Sequence, residues 1–103
     1  MGKILEFTIK NQRLFWENPC KIFEGSNNFF KIKVEPESEW VGLDLIAVFS
    51  SDHDKEAEVA SKMDAHNECF IPDIDGDISF YIYGHNEKTS IKTQSFTIKQ
   101  IGE

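Results

Sequence analysis

The sequence predicts an all-β protein, an antiparallel sandwich or barrel of about seven to eight short strands. Three observations predict it. Apolar and polar residues alternate with a period of two in several separate stretches, as half-buried strands require. Clusters of Gly, Pro, Asn and Asp interrupt these stretches at short intervals, where turns need them. No stretch carries the periodicity of a long amphipathic helix. The chain of 103 residues suits a single domain over 1–103 with one core. Hydrophobic residues make up 40%, and nine phenylalanines with two tryptophans supply large units to bury.

The elements follow in order. Ile4 to Lys10 alternates, with Leu5, Phe7 and Ile9 on one side. Asn11-Gln12 breaks it and Arg13 to Trp16 resumes, as in a hairpin or bent strand. Cys20 to Glu24 alternates until Gly25-Ser-Asn-Asn28 stops it, and Phe29 to Val34 follows with Phe30, Ile32 and Val34 inward. Pro36 ends that strand, because proline withholds a ladder donor. Leu43 to Phe49 is more uniformly apolar, as a central strand covered on both faces would be. Asp52 to Met63 has too few apolar residues for a helix face and reads as a polar loop with a short strand around Glu58 to Met63. Glu68 to Ile71 is a short strand closed by Pro72. Ile78 to Tyr83 places Ile78, Phe80 and Ile82 on one face, with Tyr81 and Tyr83 on the other. Ile91 to Ile101 is a final strand broken near Gln94-Ser95.

Charge narrows the partners. With 18 acidic against 11 basic residues the net charge is -7. A nucleic-acid partner needs a basic footprint, and an anionic membrane surface needs one too. No run is long and apolar enough for a transmembrane helix or a signal peptide, so the expectation is a protein made in a cytoplasm. Cys20 and Cys69 read as two reduced, buried small hydrophobes, with an inter-sheet bridge between them as the alternative.

Candidate chemistry is sparse. Asp73-Ile-Asp-Gly-Asp77 offers oxygen ligands for calcium, but Gly76 comes too early for an EF-hand loop and no glutamate closes it. The expected use of Asp75-Gly76 is a turn. His53, His66 and His85 fall in loops at spacings that match no ligand motif, and no nucleophile elbow or catalytic cysteine context is present. The expectation is therefore no enzyme, no metal and no cofactor. Exposed aromatics remain: Trp16, Tyr81 and Tyr83 form a candidate interaction surface, for a sugar or for a protein.

Several pieces then fall into a joint order. They are Asn28-Phe-Phe-Lys-Ile-Lys-Val34, Ser38-Glu-Trp-Val-Gly-Leu43 and Ile46-Ala-Val-Phe49. After them come Asp64 with Glu68-Cys-Phe-Ile-Pro72, Ile78-Ser-Phe-Tyr-Ile-Tyr-Gly84, and Ile91-Lys-Thr93 with Phe96-Thr-Ile98. This order resembles small immunoglobulin-like β-sandwich domains of phages that infect Gram-positive bacteria. Such domains occur alone or at the start of tail, baseplate and head-fibre proteins. The resemblance covers roughly residues 1–101 and implies an antiparallel immunoglobulin-like β-sandwich.

It also implies a non-enzymatic virion structural or accessory protein, docking on other virion proteins in a repeated capsid or tail lattice. Partner strands would add to edge strands at Met1 to Lys10 and Ile91 to Ile101. Self-association into a homo-oligomer stays open. The alternative function is a carbohydrate-binding module that attaches to a host-surface glycan through Trp16, Tyr81 and Tyr83. Two departures stand out. Members often carry a tryptophan after the Ile-Pro pair, where this chain has a compact Asp73-Ile-Asp-Gly76, and Asp52 to Lys62 is longer and more charged than expected. Trp40, Phe49 and Pro72 are the expected structural anchors. The Trp40 indole should cover an end of the core, with its N–H bonded to a loop carbonyl.

Overall fold

Alternation along the first strand, β1 (Lys3–Lys10), puts Leu5, Phe7 and Ile9 on one face, and all three are buried. The computed structural model describes residues 3–23, 29–51 and 54–102, without the side chains of residues 55 and 56. After β1 come β2 (Arg13–Trp16), β3 (Ile22–Phe23), β4 (Phe30–Glu35) and a 3-10 turn over Ser38–Trp40. Then follow β5 (Asp44–Ser51), β6 (Asp54–Lys62), β7 (Glu68–Phe70), β8 (Ile78–His85), β9 (Ser90–Lys92), β10 (Phe96–Ile98) and β11 (Gln100–Ile101). The protein is all-β. The sequence-predicted features at Met1-Gly2, Glu24 to Asn28 and Asp52-His53 lie outside the described residues.

One sheet has the order β2-β1-β4-β7, and the other β10-β8-β5-β6 with β9 also paired to β8. Strands β3 and β11 form a small third sheet. Two pairings are parallel, β1 with β4 and β3 with β11, which corrects the expectation of a purely antiparallel fold. Parallel neighbours need a crossover of about a dozen residues or more, and the chain from Asn11 to Phe29 supplies it. Eleven strands are present among the described residues rather than seven or eight, because the first and last stretches are each cut into shorter pieces.

The two large sheets meet through aromatic rings. Phe7 of β1 makes edge contacts with Phe80 of β8 at 5.1 Å and Phe96 of β10 at 5.2 Å between centroids. Phe49 stacks on Phe80 at 5.6 Å. Leu5, Ile9, Ile32, Val34, Ala47, Ile78, Ile82 and Ile98 complete the centre of the core. Each fully buried large side chain contributes about 1.5–3 kcal/mol relative to exposure. The radius of gyration, 13.2 Å, is that of a compact chain of this length.

Three local expectations change. Strand β5 buries Leu45, Ala47 and Phe49, but Ile46 and Val48 on its other face are only half-buried, since no layer among the described residues covers that face. Strand β1 is interior, flanked by β2 and β4, so it is not a docking edge. The segment read as a polar loop with a short strand around Glu58 to Met63 is a nine-residue strand, β6, which pairs with β5 at Asp54 and again, after a register shift, from Val59 to Lys62. Its described side chains are too exposed to leave a periodic apolar signal. The last stretch does break where expected. Thr93 leaves the β9 path, and its Oγ1 accepts the Ile82 N–H at 3.0 Å while its own N–H donates to the Ile82 carbonyl.

Candidate functional site

Two features on the β10-β8-β5-β6 sheet stand apart from the core. The first is its outer face. Cross-strand registers align Ala60, Val48 and Tyr81 in one row, and Lys62, Ile46, Tyr83 and Lys92 in the next. Tyr81 and Tyr83 thus share this face, as alternation along β8 dictates. Tyr83 stacks on His85 at 5.5 Å, and the Lys92 ammonium lies 5.5 Å from the Tyr81 ring centroid. Partial burial, with the nearby Glu58 carboxylate, raises the Tyr81 phenol above its ordinary value.

Where the last strand breaks, a groove of about 490 Å³ opens beside Tyr81. Its other walls are Asn11, Gln12, Lys92, Thr93, Gln94 and Ser95. Asn11 and Gln12 form the tip of the β1–β2 hairpin with φ of 52° and 60°. A two-residue hairpin loop with both φ positive matches the twist of its strands. Three contacts lock this tip in place. Gln94 N–H donates to the Gln12 carbonyl at 2.7 Å, Gln12 Nε2 donates to the Lys92 carbonyl at 3.1 Å, and Asn11 N–H donates to Glu37 Oε1 at 2.7 Å.

The second feature is the free edge of β6. Among the described residues this strand pairs with β5 alone in the sheet order. The Met63 N–H donates to the Leu45 carbonyl, and the register pairs Ala47 with Ser61 and Phe49 with Val59. Antiparallel alternation then turns the N–H groups of Ala60 and Lys62 away from β5, toward the open edge. Ala57, Glu58, Val59 and Ala60 are all exposed, so neither face of the strand is covered there. Neither the groove nor this edge was singled out from the sequence. The Asn11-Gln12 break was the only signal for the first, and the short strand expected around Glu58 to Met63 was the only signal for the second.

Trp16 lies elsewhere. It sits on β2 on the core side, stacked on Phe7 at 5.6 Å and edge-on to Phe96 at 6.3 Å. Its Nε1 donates to Asn18 Oδ1, which also accepts the Glu6 N–H. Trp16 therefore does not join the two tyrosines on their face. Of the expected anchors, Trp40 and Phe49 are buried, while Pro72 is half-buried after Ile71. The Trp40 indole N–H is buried without an acceptor among the described residues, contrary to the expected loop carbonyl.

The remaining candidates have structural surroundings. Gly76 takes φ 79° in a bend. The bend is tied down by Gln100, whose Nε2 donates to the Ile74 and Gly76 carbonyls while its N–H donates to Asp77 Oδ1. Among the described residues no group of three His, Cys, Asp or Glu side chains is arranged to hold a metal ion. His66 lies in the Asp64 turn and His85 on Tyr83. Cys20 and Cys69 are free thiols, and burial, with the Asp64 charge adding to it, pushes Cys69 up to about 12. Neither a family model, nor a curated protein, nor a solved structure significantly matches the chain.

Proposed function

We propose that the chain is a non-enzymatic structural protein of a phage virion, an immunoglobulin-like β-sandwich that docks on a repeated capsid or tail lattice. The observation that carries this reading is the open edge of β6, where Ala57, Glu58, Val59 and Ala60 are exposed and the N–H groups of Ala60 and Lys62 turn outward. Adding a partner's strand to such an edge gives main-chain hydrogen bonds along its length, and the flanking side chains set specificity. Glu58 and Lys62 on β6 keep the edge from pairing indiscriminately, so a partner must answer their charges. A lattice that repeats the same contact many times converts a modest affinity into lasting attachment.

Pairing of the later strands supports the immunoglobulin-like assignment. Strand β4 pairs with β7 in one sheet, and β5, β8 and β10 are neighbours in the other. That division corresponds to the B–E and C–F–G sets of an immunoglobulin sandwich, with β6 following C at the edge. The β1–β2 hairpin, running parallel to β4, is an addition to that plan.

The protein would be made in the host cytoplasm and reside in the virion. Quantitative mass spectrometry of purified virions tests this. A fixed copy number relative to the major capsid or tail protein is the expected result, and absence from virions would refute it.

A further inference from the structure

We infer that the groove beside Tyr81 is a saccharide-binding site, separate from the β6 edge and independent of the virion reading. Its volume, about 490 Å³, falls in the range of small-molecule sites, about 300–1,000 Å³. Its chemistry is selective. One aromatic ring, three carboxamides (Asn11, Gln12 and Gln94), two hydroxyls (Thr93 and Ser95) and one ammonium (Lys92) line it, and no carboxylate does.

A sugar ring presents a C–H face and a rim of hydroxyls, each both donor and acceptor. The Tyr81 ring offers apolar surface for the C–H face. Carboxamides carry a donor and an acceptor in one plane, which suits pairs of neighbouring hydroxyls. The side-chain amides of Asn11 and Gln94, which line the groove, make no hydrogen bond to other described residues, so their full capacity is open to a ligand there. Lys92 is exposed and rests over the ring, from which it can swing to donate to a hydroxyl when a sugar takes its place.

The frame is preorganised. The left-handed Asn11-Gln12 tip is held by three hydrogen bonds, and Thr93 is fixed by its two bonds to Ile82. Binding therefore does not have to order a loop, which would subtract from affinity. With only one ammonium in the lining, and the Glu37 and Glu58 carboxylates close by, the groove lacks the basic cluster that a polyanion needs and suits a neutral sugar.

The test is titration of the whole chain with a panel of neutral oligosaccharides: gluco-, xylo-, manno- and N-acetylglucosamine oligomers. It is followed by NMR of the side-chain amides. Saturable shifts at Asn11, Gln12 and Gln94 are expected for at least one member. Tyr81→Ala should weaken that binding about tenfold, the loss of one stacking contact. Gln94→Ala, an exposed position with little bearing on folding, should weaken it as well, and Tyr83→Ala, outside the groove, should leave it unchanged. No saturable binding across the panel would overturn the inference. So would shifts confined to the Tyr83 side of the sheet, or wild-type affinity in folded Gln94→Ala and Tyr81→Ala. Ala60→Pro at the β6 edge should not affect sugar binding, so the two readings fail separately.

Discussion

The indole of Trp40 lies directly on Gly84: a Cβ added to that glycine would sit 2.7 Å from Trp40 Cε3 and 2.8 Å from Cζ3. Two short pieces of sequence, Glu39-Trp-Val-Gly42 and Tyr83-Gly84, thus meet as one packing unit. The 3-10 turn brings Trp40 over Gly84 of β8, which pairs with Leu45 of β5, and leaves it 2% exposed. Gly42 lets the chain turn away afterwards with φ 84°, a conformation disfavoured for other residues.

Gly84→Ala should therefore destabilise the protein by about 1–3 kcal/mol, the usual range for overpacking a filled site. Urea denaturation measures it. In a Trp40→Phe background the same change should be smaller, because the ring atoms that meet the added methyl are gone and the two sites are coupled.

Trp40→Ala should lower stability by about 3–5 kcal/mol through the cavity it leaves. Trp40→Phe should be much milder, since it also removes an unpaired buried N–H, a group whose burial costs about 1–3 kcal/mol. An unchanged melting temperature for Trp40→Ala together with lost partner binding would contradict the structural role.

The two thiols should differ in reactivity. Cys69 is buried on β7 with its thiol raised to about 12, so at neutral pH almost no thiolate exists there. Cys20 is partly exposed. A thiol reagent should modify Cys20 in the native protein and Cys69 only on unfolding. Equal rates in native buffer would contradict this arrangement.

Asp64 gives a pH dependence. The backbone N–H of Glu68, then that of His66, donates to its carboxylate and holds its pKa below the ordinary value. Its contribution to stability is therefore complete above about pH 4 and lost as pH falls through the lower folded value. The melting-temperature gap between wild type and Asp64→Ala should be constant near neutrality and close on acidification below about pH 4. A gap that widens in acid would contradict the assignment.

What was legible in the sequence is what is buried on one face. Leu5, Phe7 and Ile9, Phe30, Ile32 and Val34, and Ile78, Phe80 and Ile82 alternate because each set faces the same core, and their strands were read directly. The β6 strand was read only over its second half, Glu58 to Met63, for the same reason: held by its ladder to β5, its described residues bury no face that would write a pattern. Parallel pairing of β1 with β4 was equally hidden, since alternation fixes a strand's faces and not its neighbours. The tyrosine face followed from period two, whereas the groove depends on a hairpin tip meeting a strand break many residues away. No local signal records such a meeting.

The most direct test of the docking claim is the copy number of Ala60→Pro in purified virions beside wild type. Ala60 is exposed, and its N–H faces the open edge, so proline removes a donor for a partner strand without removing one to β5. Wild type should be present at fixed copy number, and Ala60→Pro, melting within a few degrees of it, should be strongly depleted. Equal incorporation of the two proteins, or absence of wild type from virions, would contradict docking through β6.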